Sequence, residues 1–306
     1  MVFGLITRII IFHEGGIPVY SWPEEGESVA IMSSFFSAIR QFSQAHFSQD
    51  IAMIGLERDN IVFLRHGNYV LALVFSDRAE TPLIERMSRR ILGELSPLLE
   101  KDIDELQLEG SIIAEGFRRA LDRSGFFWLY EVASNVIRHE NVMGMSIFEV
   151  VDMRSIEPLY YPLEPYLGFE RILRAAAGFV RIVETLKDAG MLLTKITLLA
   201  QNGNGVQSWF FENLVAILEY AFGKHIGELT QRVLSALGRM ESERSPAITG
   251  GSLVEPIFAL SIDVLGDVPT LCQFVTEDKS IIFDFSDKTT KVYQAAPHLD
   301  IVSYRQ

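Results

Sequence analysis

Ile11-Phe12-His13-Glu14-Gly15-Gly16-Ile17-Pro18-Val19-Tyr20 is the stretch that decides the fold of the first part of this chain. Upstream of it, residues 3 to 12 are rich in β-branched and aromatic side chains, the composition of a largely buried strand. Glu14-Gly15-Gly16 follows, and glycine accepts the positive φ that a tight turn needs. Ile17 to Trp22 then reads as the returning strand. Pro18 has no N–H to give a second neighbour, which places this strand at a sheet edge.

Working outward, Glu24 to Ser28 is polar, with Ser28 a predicted N-cap. Val29, Met32, Phe35, Phe36, Ile39 and Phe42 recur at spacings of three and four, predicting one apolar stripe on a helix ending near His46. The other face carries Ser33, Ser34, Ser37, Arg40, Gln41 and Gln44. Strand signals follow at 51–56, 60–65 and 69–75. The short breaks between them demand antiparallel neighbours. Thr81-Pro82 opens a second helix, with Thr81 the expected N-cap and Leu83, Met87, Ile91 and Leu95 its apolar face.

This order predicts an α+β fold with a five-stranded antiparallel sheet and helices on it. It resembles the longin and roadblock domains. The hairpin phrase 11–20 is similar to the family's first hairpin, and Phe35-Phe36-Ser37-Ala38-Ile39 resembles its first helix. The resemblance covers residues 1–105 and implies a module for binding partners, one without a catalytic signature. Such domains pair with each other and with small GTPases through the first helix and the edge strand. Here it implies contacts at Val19 and Trp22 on the edge, and at Ser33, Ser37 and Arg40 on the small-hydroxyl helix face. Arg86, Arg89 and Arg90 share a face of the second helix. They read either as a dock for an acidic partner or as a solvated face paired with Glu85 and Glu94, the second being preferred.

Glu100-Lys101-Asp102-Ile103-Asp104-Glu105 is the expected boundary, leaving 106–306 as a helix-rich α+β domain. Helices are predicted at 109–122 and 126–139, then a strand near 145–151. An aromatic loop with Pro158, Pro162 and Pro165 comes next. A helix at 168–189 ends at Gly190, and a strand runs 193–200. Asn202 to Gly205 reads as a turn before a long helix, 207–240, containing Gly223 and Gly227. A polar linker, 241–252, precedes strands at 258–264, 271–275 and 280–285. No internal repeat is visible in the sequence.

Among 306 residues there are 40 acidic and 27 basic side chains, a net charge of −13. That sign repels a phosphate backbone, so no nucleic acid is expected as a partner. The single cysteine, Cys272, allows neither an intramolecular disulfide nor a cysteine-based zinc site. Six scattered histidines show no metal-binding spacing, and neither metal nor cofactor is expected. Gly203-Asn204-Gly205-Val206-Gln207-Ser208 has part of a phosphate-loop pattern, but Ser208 stands where the third glycine belongs, and a turn is the preferred reading. Gly223-Lys224 lacks the Ser/Thr a P-loop needs. Gly266-Asp267 with Cys272-Gln273-Phe274 faintly resembles the closing motif of vinyl-reductase-type small-ligand domains. No apolar segment reaches membrane-spanning length, and the N-terminus lacks a signal-peptide pattern.

The expectation is therefore a cytoplasmic, non-enzymatic adaptor or regulatory subunit. It would act with a small GTPase or another longin/roadblock-type protein in a trafficking-type complex, as a homodimer. Two alternatives come from other classes: a sensor enclosing a small apolar ligand in the C-terminal half, and an enzyme of unrecognised fold.

Overall fold

The computed structural model describes residues 5–23, 26–76, 79–103, 106, 110–152, 155–160, 166–188, 190–237, 251–286 and 290–303. Its chain forms two compact units, Met1–Ile137 and Arg138–Gln306. The fold is α+β, as expected.

In the first unit, β1 (Ile6–His13), β2 (Pro18–Trp22), β3 (Met53–Gly55), β4 (Asp59–His66) and β5 (Tyr69–Ser76) form a five-stranded sheet in the order β2-β1-β5-β4-β3. Every neighbouring pair is antiparallel. β2 lies at the border, where its proline placed it. Helix α1 (Gly26–Phe47) covers one face through Val29 and Phe36, which pack with Ile10, Phe12, Phe63 and Ala72. Helix α2 (Thr81–Leu95) buries Leu83, Met87, Ile91 and Leu95, with Glu80 at its N-cap and Pro82 in its first turn. Thr81 is the first helical residue, one position inside its expected place.

Helices α3 (Gly110–Arg123) and α4 (Phe126–Arg138) complete this unit. Trp22 sets its ring edge-on to Phe126, Phe127 and Tyr130, and Tyr20 packs on Phe117. The boundary read at 105/106 rested on local charge. The aromatic contacts that tie α3 and α4 to β2 are long-range, and they carry the unit to Ile137. Asp104 and Glu105 lie outside the described residues.

The second unit contains one antiparallel sheet of eight strands, ordered β13-β12-β11-β8-β9-β10-β6-β7. The strands are β6 (Val142–Asp152), β7 (Ser155–Tyr160), β8 (Leu193–Ala200), β9 (Asn204–Phe211), β10 (Leu214–Ala221), β11 (Pro269–Thr276), β12 (Ser280–Asp284) and β13 (Lys291–Ala295). Helices α5 (Phe169–Asp188) and α7 (Gly251–Leu265) pack on one face around Ile196, Leu198, Val215, Ile217, Cys272 and Phe274. Helix α6 (Ile226–Leu237) follows β10.

Several sequence expectations fail here. Ser155–Tyr160, within the stretch read as an aromatic loop around Pro158, is strand β7 at the sheet border. The long helix over 207–240 is a hairpin, β9–β10, followed by a shorter helix. β10 is buried on both faces, so its continuous apolar run lacks the alternation that separates a strand from a helix. Residues 258–264 are helical within α7, despite Pro256 in the same helix. β13 was not anticipated. The end of the expected long helix, most of the 241–252 linker, Pro162 and Pro165 fall outside the described residues. Among the described residues, no helix is long and apolar enough to cross a membrane.

The two sheets share a wiring. β7-β6-β10-β9-β8 repeats β2-β1-β5-β4-β3, with α5 entering after β7 as α1 enters after β2, and α6 leaving β10 as α2 leaves β5. The second unit then adds α7-β11-β12-β13 along its β8 border. This repetition is invisible as sequence because the side chains differ while the connections do not.

Gly203 adopts φ +83° in the β8–β9 turn, and a Cβ there would come within 2.2 Å of the Gly223 carbonyl oxygen. Gly67 has φ +56° with open space around it. Gly203→Ala is expected to cost about 3 kcal/mol, and Gly67→Ala about 1 kcal/mol, in urea denaturation. Equal costs would remove the close approach as the cause.

Candidate protein-docking surface

Helix α1 has three distinct sides. Its core side holds Val29 and Phe36 over the sheet. Next to it lies a serine side, against which the β1–β2 turn sits. Gly16, at φ +87°, comes so close that a Cβ would lie 3.1 Å from the Ser34 Cα. Small residues are needed there. Ser37 donates its hydroxyl to the Glu14 carbonyl, and Ser33 donates to Val29 O within the helix. Arg40 forms a bidentate ion pair with Asp50. That guanidinium, by its hydrogen bond and charge, holds the Asp50 carboxyl below its ordinary pKa, against the partial burial that opposes it.

Of the expected contact residues, Ser33, Ser37 and Arg40 are buried within the unit. The Ser37 hydroxyl answers the hairpin turn, and that of Ser33 is satisfied within the helix. Trp22 is covered by its own aromatic cluster and Val19 is half-buried, so the β2 side chains are largely committed to packing. Arg90 donates to the Ser124 carbonyl at 3.0 Å, Arg89 pairs with Glu85, and Arg86 is half-buried. Glu94 pairs with Arg123 of α3.

The third side of α1 is apolar and open. Ile31, Phe35, Ala38 and Phe42, at spacings of four, three and four, face solvent, with Phe35 57% and Phe42 59% exposed. Such spacing is the seam along which two helices pack. The serine side meets the β1–β2 turn, and the phenylalanine side is turned away from it into solvent. Met53 on β3 and Leu56 just beyond it are also more than half exposed. The sequence signal was present, since Phe35 and Phe42 were read as one stripe with Phe36. A stripe that wide exceeds what one sheet face can cover, and part of it is left outside.

The second unit holds a polar network instead. Gln207 donates to Thr197 at 3.0 Å and to Asp300 at 3.3 Å, and accepts from Trp209 and Tyr220. Lys195 pairs with Asp300 at 2.9 Å and lies over the Trp209 ring. Burial, then the Asp300 charge, push the Tyr220 hydroxyl pKa up. Burial is the largest cause lowering that of His139. These groups satisfy one another and pin the 299–303 turn to the sheet. Cys272 is buried on the opposite face, its thiol pKa pushed up by burial. The Gly203-Asn204-Gly205 stretch opens β9 with no helix behind it, and Gly223-Lys224 sits in a short 3-10 turn. Among the described residues, no cluster of three or more His, Cys, Asp or Glu side chains could hold a metal. An open groove of about 600 Å³ runs between α5 and α7, lined by Ala177, Gly178, Leu260 and the Arg174–Asp263 pair.

No protein-family model and no curated protein matches the chain. Among solved structures, it is similar to a Roadblock/LC7 domain from Streptomyces avermitilis at 12% identity. That match covers 31% of this chain and 87% of the other, with a TM-score of 0.29.

Glu219 is fully buried and accepts from the Leu167 N–H at 2.6 Å, while its other oxygen has no hydrogen-bond partner among the described residues. Burial raises its pKa, opposed by that one N–H. A raised folded pKa means stability is fullest below the ordinary carboxyl value and falls as pH climbs through the raised one. Glu219→Gln is expected to flatten this loss. Melting temperatures taken from pH 4 to 8 should show the native protein declining against the variant; parallel curves would contradict it.

Proposed function

We propose that the chain is a non-enzymatic adaptor or regulatory subunit whose first unit docks a protein partner through α1 and the β3 border. The carrying observations are the exposed apolar seam Ile31, Phe35, Ala38 and Phe42 on α1 and the border strand β3, which has one strand neighbour among the described residues and leaves Met53 and Leu56 exposed. A monomeric surface rarely leaves so much contiguous apolar area to water unless something covers it. An open strand edge supplies backbone hydrogen bonds, and a helix seam supplies packing. The partner classes that fit are another longin/roadblock-type module or a small GTPase, in a trafficking-type assembly.

Phe35→Glu with Phe42→Glu is expected to weaken binding by about 30-fold or more, since both are large and central to the face. Val19→Lys, on the opposite sheet border, should change it little. Purified small GTPases and longin/roadblock modules immobilised for biolayer interferometry provide the readout. Binding lost with Val19→Lys and kept in the double variant would return the site to β2.

A second reading rests on the α5–α7 groove, whose walls suit a small amphipathic ligand next to Arg174 and Arg181. Native mass spectrometry of protein from cells should then show a retained mass that Gly178→Leu removes. A bare chain mass would set this reading aside.

A further inference from the structure

We infer that the groove between α5 and α7 binds a free long-chain carboxylate, whose head pairs with Arg181 and whose chain lies lengthwise over Gly178 and Leu260. The inference rests on the groove reading above and gives its ligand a chemical class.

The groove comes from a change in side-chain size along two packed helices. Arg174 of α5 meets Asp263 of α7, and Gly178, one turn on, abuts Leu260, so the helices run antiparallel. A Cβ at Gly178 would lie 2.3 Å from the Leu260 Cδ1, a closeness that glycine allows without displacing that leucine. Ala177 and Ala259 line the groove beside this contact, and neither methyl rises far above its helix. The floor is therefore low and made of hydrocarbon. Between Arg174 and Thr185 it extends for about 16 Å at the helical rise per residue. At about 600 Å³ the space falls within the range of small-molecule sites, and it is drawn out along the helices. A flexible single chain follows such a trough, whereas a compact ring system covers only part of it.

The polar groups in the groove select the head. Arg174 and Asp263 answer each other at 3.5 Å. Thr185 gives its hydroxyl to the Arg181 carbonyl at 2.8 Å. That leaves the Arg181 guanidinium, which is exposed and has no ion-pair partner among the described residues. One uncommitted cation beside an apolar trough complements one anion joined to a hydrocarbon. A carboxylate matches the planar donor fork of arginine with two hydrogen bonds. The net charge of −13 repels anions at a distance, but that field is screened beyond about 8 Å at physiological ionic strength, and the contact with Arg181 is local. Most of the affinity comes from the chain, since an exposed ion pair alone contributes little.

Isothermal titration calorimetry of the full chain, with sodium laurate kept below its micelle concentration, provides the test. Laurate is expected to bind at a single site and about tenfold or more tighter than octanoate, because each further methylene leaves water. Arg181→Glu is expected to weaken laurate binding about tenfold, while Arg118→Glu, the same charge change on α3, leaves it unaltered. Ala259→Phe fills the groove from an exposed position and is expected to abolish binding at unchanged circular dichroism. Laurate binding that is indifferent to Ala259→Phe overturns both the inference and the groove reading. If dodecyl maltoside binds as tightly as laurate and Arg181→Glu has no effect, the carboxylate assignment fails and the groove reading stands. Affinity for phosphatidylglycerol vesicles with none for monomeric laurate makes the face a membrane contact and also overturns the inference.

Discussion

A strand at the border of an antiparallel sheet carries amide donors and carbonyl acceptors that no neighbour in its own sheet can satisfy, and much of this molecule's design follows from where those borders fall. The second unit closes one of them with its own chain. β11 continues the ladder past β8, and α7 covers the flank of α5, so apolar residues from four elements share one core. The first unit stops at β3, a strand of three residues. A strand so short limits the number of unpaired groups, which is one way a border is made tolerable. It does not remove the apolar side chains gathered around it.

Those side chains explain why α1 has the composition it does. A helix lying on a sheet needs one buried face, yet α1 is apolar or small over most of its circumference. Two constraints meet on it. The β1–β2 turn approaches so closely at Gly16 that small residues are needed beneath it, and the Ser37 hydroxyl donates to the turn's Glu14 carbonyl. Phenylalanines on the far side have no such neighbour among the described residues of their unit. Serines buried and phenylalanines exposed invert the usual sorting, and close backbone approach is the reason on one side.

Much of the first unit was legible in the sequence because its signals are local. Gly15-Gly16, Pro18, the hairpin breaks and Thr81-Pro82 each fix backbone geometry within a few residues. The site was legible only in part. The apolar stripe of α1 could be counted, but which members face the sheet depends on how the helix is rotated, and Gly16 sets that from a distance. The long helix read over 207–240 failed for a different reason. A strand buried on both faces presents neither a period of two nor of 3.6, and length alone pointed the wrong way. The repeated wiring was beyond reach of the sequence, since it resides in which strands pair and not in which residues compose them.

The two borders also differ in the side chains they carry. In the second unit Thr197 and Gln273 face each other, fully buried, where an unpartnered hydroxyl or amide would be costly. They are tolerated because Gln207 donates to Thr197, and Gln273 donates to Ser280 and to the Leu299 carbonyl. The turn that carries Leu299 and Asp300 is thus part of what lets a polar pair occupy that place. The first unit shows no such turn over β3 among its described residues, and β3 carries Met53, whose thioether needs no hydrogen-bond partner and adapts to an irregular surface. A border sealed within the chain can hold polar groups whose partners fold with it. A border without such partners does better with a side chain that is satisfied by contact alone.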